Sequence, residues 1–140
     1  MDHPEEAKFG MTKAQLIQAF KELKALGAEK FGIHALLASN TVSNAYYPEL
    51  ARQLFELAVE VVEATGVELD FINLSGGVGV NYQPEGEEND IAVIGQGVRQ
   101  AYEEILTPAG LEQIKIFTEL GRFMLAPYYE IGRASCRERV

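Results

Sequence analysis

The chain has 140 residues, 47% of them apolar, which suffices for one domain of ordinary size with a real core and excludes a disordered segment. Its formal charge of -9 disfavours nucleic acid, whose phosphates are bound by clustered Lys and Arg, and no apolar run approaches the roughly 20 residues of a membrane span. The acidic start Met1-Asp2-His3-Pro4-Glu5-Glu6 is unlike a secretory signal, so a cytoplasmic location is expected; one cysteine, Cys136, and two distant histidines, His3 and His34, suggest neither a disulfide framework nor a metal site.

Thr12-Lys13-Ala14-Gln15 has the T-x-x-Q form of a capping box, and Leu16, Ala19, Phe20, Leu23 and Leu26 follow at helical spacing until Gly27. A helix over 12–26 is predicted. Phe31-Gly32-Ile33-His34-Ala35-Leu36-Leu37 has the length of a strand buried on both faces, and polar Ser39-Asn40-Thr41 and Ser43-Asn44 open a loop after it. Tyr46 and Tyr47 read as packing residues or loop anchors ahead of the next helix. Pro48 suits that helix's first turn, and Leu50, Leu54, Leu57, Ala58, Val61 and Val62 carry an apolar face to about residue 65, where Gly66 closes it.

Residues 69–74 are the next predicted buried strand, followed by the glycine-rich turn Ser75-Gly76-Gly77-Val78-Gly79 and a Pro/Gly-containing acidic loop over 83–89. A helix over 90–106 ends at Thr107-Pro108-Ala109-Gly110, and 114–118 is the last clear strand. Strands alternating with long helices demand a parallel sheet, either doubly wound or part of a (β/α)8 barrel. In both, ligands sit at the carboxyl ends of the strands, where this chain puts His34, Ser75 to Gly77 and Glu119 to Arg122.

The commonest meaning of a glycine turn, a dinucleotide site, has little support. Gly77-Val78-Gly79-Val80-Asn81-Tyr82 lacks the third glycine of G-x-G-x-x-G, and Gly95-Gln96-Gly97 falls within a predicted helix. Ser75-Gly76-Gly77 suits a single phosphate, because glycine lets several amides converge on one anion; a tight turn without a ligand is the alternative. Glu119 ends an apolar strand as a buried-looking carboxylate that needs a cationic or protonated partner. Arg122 is one candidate, and a pyridinium nitrogen is the other, in which case the Arg122 fork meets a phosphate or carboxylate. His34 reads as a core histidine or as a ring that stacks on a planar cofactor.

The segment 130–140 departs from what precedes it: it holds Arg133, Arg137 and Arg139, whereas the rest of the chain has only Arg52, Arg99 and Arg122. It resembles the translation of a sequencing adapter. We therefore expect a domain over 1–129, a non-native tail over 130–140, and a reading frame cut near Tyr129.

Four segments taken together resemble the diaminopimelate decarboxylase family of pyridoxal-phosphate barrels. Lys8-Phe9-Gly10 is similar to its S-K-F-G, and His34-Ala35-Leu36-Leu37-Ala38-Ser39 to a longer form of its H-I-G-S. Asn73-Leu74-Ser75-Gly76-Gly77-Val78-Gly79 is similar to N-L-G-G-G-L-G, and Glu119-Leu120-Gly121-Arg122 to E-P-G-R. Ser75 stands for a glycine and Leu120 for a proline.

The resemblance implies an α/β fold, a partial (β/α)8 barrel amounting to roughly half of the usual 250 residues. It implies pyridoxal 5'-phosphate as cofactor and removal of carbon dioxide from meso-diaminopimelate to give L-lysine. His34 then stacks on the ring, Ser39 and Gly76-Gly77 hold the phosphate, and Glu119 meets the pyridine nitrogen, with Ser75 and Gly121 in the same binding set. Arg122 contacts phosphate or the substrate carboxylate. No segment matches the strand that bears the Schiff-base lysine or the β-domain with its C-E-S-x-D motif, and Cys136, followed by Arg137, is not that cysteine. The chain alone is expected to be inactive and its full-length parent a homodimer. The alternatives are another amino-acid decarboxylase or racemase on the same barrel, or a non-enzymatic phosphate-binding α/β module.

Overall fold

The structure is a computed structural model that describes residues 10–82 and 86–126. The Lys8-Phe9 match, Cys136 and the segment 130–140 lie outside the described residues.

Helix α1, Lys13–Ala25, starts from the predicted capping box: the Thr12 hydroxyl accepts the Gln15 amide and the Gln15 side-chain oxygen accepts the Thr12 amide. Of its apolar positions only Phe20 is buried, its ring 4.9 Å from that of Phe31. Leu23 and Leu26, which share the predicted apolar spacing, are 46% and 84% exposed. The reason is that α1 packs chiefly on one neighbouring helix, which covers a narrower stripe than the full apolar face.

Strand β1, Phe31–His34, is shorter than the predicted run. Ala35 still donates to the Asn73 carbonyl at 3.3 Å, but the neighbouring strand β2, Leu69–Asn73, stops there, so Leu36 and Leu37 have no ladder to join and stand exposed. Helix α2, Tyr46–Thr65, begins earlier than expected and contains both tyrosines. Pro48 falls in its first turn, where a missing N–H costs nothing. Tyr47, Leu50, Ala51, Leu54, Phe55, Ala58 and Val61 form its buried face, and Gly66 closes it in the left-handed conformation at φ 59°.

Helix α3, Ile91–Ala101, is capped by the Asp90 carboxylate, which accepts the Ala92 and Val93 amides. It was predicted to run unbroken to residue 106. Instead Tyr102–Leu106 is a π-helical turn, with Thr107 donating to Tyr102. The wider turn lets Ala101 and Leu106, five positions apart, both face the core. Gly97, inside α3, is a packing residue: a Cβ there would lie 2.6 Å from the Pro48 ring of α2. Strand β3, Lys115–Phe117, and the short helix α4, Gly121–Leu125, complete the described chain.

The strands form one parallel sheet in the order β1-β2-β3. Register sets side chains in rows, Ile33–Ile72–Ile116 toward the core and Gly32–Phe71–Lys115 and His34–Asn73–Phe117 on the opposite face. The core side is covered by α2, which packs on α1, α3 and β2. The opposite face is open among the described residues, with His34 exposed and Phe117 48% exposed. Burial on both faces is therefore corrected to burial on one. This is what consecutive barrel strands look like, the open face being the one that points toward a barrel axis.

Candidate functional site

Because the strands are parallel and neighbouring, their three carboxyl-terminal loops meet at one edge of the sheet. They are zipped together by backbone bonds: Thr41 N–H to Gly77 O at 2.8 Å, Gly79 N–H to Thr41 O at 2.9 Å, and Glu119 N–H to Ser75 O at 2.8 Å. The side-chain amide of Asn89 donates to the Thr41 and Gly79 carbonyls, each at 2.9 Å. These bonds occupy the Ser75, Gly77 and Gly79 carbonyls of the glycine turn. No described residue accepts from the Gly76 or Gly77 amide, which leaves adjacent donors on the turn for an anion.

The turn runs between two other pieces of backbone with no space to spare. A Cβ at Gly76 would lie 2.6 Å from the Glu119 carbonyl oxygen, and one at Gly77, whose φ is 108°, would lie 2.8 Å from that of Ala38. Ser75 itself is left-handed at φ 58° and 3% exposed, so it shapes the turn from beneath. The glycine of the family pattern at this position is thus explained by backbone conformation.

Ser39, Asn40, Gly77, Val78, Glu119, Leu120, Gly121 and Arg122 line one cleft of about 270 Å³. Three expectations need correction here. Glu119 is exposed, not buried, because β3 ends at Phe117 and the carboxylate projects beyond it. Its partner is not Arg122 but Asn73, whose Nδ2 donates to Oε1 at 2.7 Å; Arg122 Nη1 donates instead to the Tyr82 hydroxyl at 2.9 Å. His34 is no core histidine: it is exposed at the tip of β1, in the row of Asn73 and Phe117, and outside the lining of the cleft. The Gly121 amide donates to the Glu119 carbonyl at 2.9 Å, so Gly121 contributes shape and not a donor.

Sequence reasoning missed Asn73 and Tyr47. Asn73 is a hub: Oδ1 accepts the Ser75 amide at 2.8 Å, which fixes the amide's orientation and so aims Nδ2 at Glu119. An Asn two residues before a turn position is a recognisable Asx signal. Since Asn73 is neutral, it orients the carboxylate without discharging it, and Oε2 has no hydrogen-bond partner among the described residues.

Tyr47, 3% exposed, donates its hydroxyl to the Ser75 carbonyl at 2.8 Å. Burial first, and the Glu119 charge second, push its pKa from 10.0 up to about 12. A raised pKa means the folded state holds the phenol proton more tightly. Its stabilising contribution is therefore complete below pH 10.0 and is lost as pH rises toward 12. Alkaline unfolding followed by circular dichroism should show stability falling by roughly 1 kcal/mol per pH unit across that window. The same curve in Tyr47→Phe should be flatter.

The sequence model of the pyridoxal-dependent decarboxylase family, pyridoxal binding domain, matches residues 2–126. The protein TabA of Pseudomonas amygdali pv. tabaci is 29% identical over 131 residues, covering 91% of this chain and 30% of that protein. A diaminopimelate decarboxylase of Methanothermobacter thermautotrophicus is 31% identical over 121 residues, covering 86% of this chain and 28% of its own length. A solved diaminopimelate decarboxylase structure superposes with a TM-score of 0.66 at 27% identity, over 86% of this chain and 27% of that one. The chain thus spans under a third of the relatives it matches, and its sheet and helices are a consecutive part of their barrel fold. On the extent of the family match, the chain belongs to the pyridoxal-dependent decarboxylases, within their pyridoxal-binding domain.

Proposed function

We propose that this chain is part of a diaminopimelate decarboxylase and contributes the phosphate and ring-nitrogen portions of its pyridoxal-phosphate site. The observation that carries the reading is that Gly77, whose amide no described residue accepts, lines one cleft with Glu119, while the equally unpaired Gly76 amide belongs to the same turn, packed against the Glu119 backbone. A phosphorylated pyridine asks for that donor set: amides for a phosphate monoester and a carboxylate for a ring N–H. The substrate rests on the similarity to diaminopimelate decarboxylases.

In the proposed mechanism Gly76, Gly77 and Ser39 bind the phosphate, and His34 lies against the ring. Glu119, oriented by Asn73, keeps a proton on the ring nitrogen. Arg122 is aimed by Tyr82 and receives phosphate or the substrate carboxylate with its planar fork. When bound, the cofactor accepts the electron pair released as the bond to carbon dioxide breaks. The reactive lysine, the second domain and the dimer contacts belong, in this reading, to the remaining length of the protein, and a cytoplasmic location goes with a biosynthetic role. No helix among the described residues is long and apolar enough to cross a membrane.

The test is made in the full-length protein that carries this chain, incubated with pyridoxal 5'-phosphate and meso-diaminopimelate. Carbon dioxide and L-lysine should appear in equal amounts, and only with cofactor. Release from another amino acid alone would replace the substrate. Absence of cofactor-dependent release from any amino acid would end the decarboxylase reading.

A further inference from the structure

The Ser75 carbonyl accepts from both sides: the Tyr47 hydroxyl comes from α2 and the Glu119 amide from the loop after β3, each at 2.8 Å. A carbonyl has room for two such donors, so this one is saturated. In a trans peptide the C=O and the following N–H point in opposite directions, and the described chain has no cis bonds. Holding the Ser75 oxygen against α2 and β3 therefore drives the Gly76 N–H the other way, where no described residue accepts it.

That orientation is not secured by sterics alone. Rotation of the 75–76 peptide changes ψ of Ser75 and φ of Gly76, and glycine tolerates either sign of φ. A rotated peptide would put a carbonyl oxygen where an anion requires a donor. The Glu119 amide alone supplies one restraint, and Tyr47, anchored in the core by its ring, supplies the second.

Resting on the cofactor reading above, we propose that Tyr47 is a positioning residue for the anion half of the site: its hydroxyl holds the Ser75–Gly76 peptide so that the Gly76 amide faces a phosphate monoester, and the site's preference for phosphorylated over unphosphorylated pyridoxal depends on it.

The experiment compares dissociation constants for pyridoxal 5'-phosphate and pyridoxal in the full-length protein, wild type and Tyr47→Phe. Phenylalanine keeps the buried ring and removes one donor. The phosphate preference should fall about three- to tenfold, the worth of one hydrogen bond, while pyridoxal itself binds as in the wild type. Equal weakening of both ligands would mean a merely structural role and overturn the proposal, as would an unchanged preference. A wild type that binds the two ligands equally would remove the cofactor reading, and this inference with it. If Tyr47→Phe does not fold, selectively labelled wild-type protein titrated with inorganic phosphate decides: the Gly76 amide resonance should move downfield, and a stationary one overturns the proposal.

Discussion

Replacing Glu119 with Gln in the full-length protein is expected to lower turnover by about 100-fold, the scale on which one preorganised electrostatic partner acts, and to leave the cofactor bound. The geometry makes this change unusually clean. Asn73 Nδ2 donates to Oε1 of Glu119 at 2.7 Å, and the Asn73 amide cannot turn over because its own oxygen holds the Ser75 N–H. A glutamine must then put its oxygen toward Asn73 and its NH2 group where Oε2 was. The site loses its negative charge and also presents a donor in place of an acceptor. A ring nitrogen facing that donor would be held unprotonated and would draw electrons poorly. The Gly76 and Gly77 amides proposed to hold the phosphate are untouched, so cofactor stoichiometry measured by absorbance should stay near the wild-type value. Turnover within a few-fold of wild type would remove Glu119 from the chemistry.

What the sequence made legible was whatever short-range chemistry decides. The Thr12 capping box, the Gly66 stop, the Asp90 start and the order of strands and helices all follow from local pattern, and all stand in the structure. What escaped depended on neighbours. The end of β1 is set by where β2 stops, and the π turn is set by the need to bury Ala101 and Leu106 together. That the expected site residues gather at one edge was legible, because parallel topology puts the carboxyl ends of all three strands there. Their partners were not legible: nearby Arg122 was one of two candidates for Glu119, whereas the sheet brings it Asn73, 46 positions away. Tyr47 looked like packing, and its ring is packing. Only the path of the Ser75 carbonyl reveals the second task of its hydroxyl.

The close passage of the glycine turn gives the largest expected loss of stability. Gly77→Ala meets two obstacles at once: φ of 108°, which side-chain-bearing residues rarely adopt, and a Cβ placed 2.8 Å from the Ala38 carbonyl oxygen. Backbone cannot easily retreat, because the Gly77 carbonyl is bonded to the Thr41 amide at 2.8 Å and Gly79 is bonded to the Thr41 carbonyl at 2.9 Å. Strain and overpacking together should cost about 2–4 kcal/mol. Gly95→Ala is the internal control, since nothing lies within 4 Å of a Cβ there and the position is helical. It should be neutral or stabilise by about 1 kcal/mol. Urea unfolding of the full-length protein should therefore separate the two variants in opposite directions, with Gly77→Ala also losing at least about tenfold in affinity for pyridoxal 5'-phosphate, equivalent to about 1.4 kcal/mol. If Gly77→Ala unfolds and binds like wild type, the Ala38 loop does not press on the turn, and the donors at Gly76 and Gly77 are not held in place by the neighbouring strand ends.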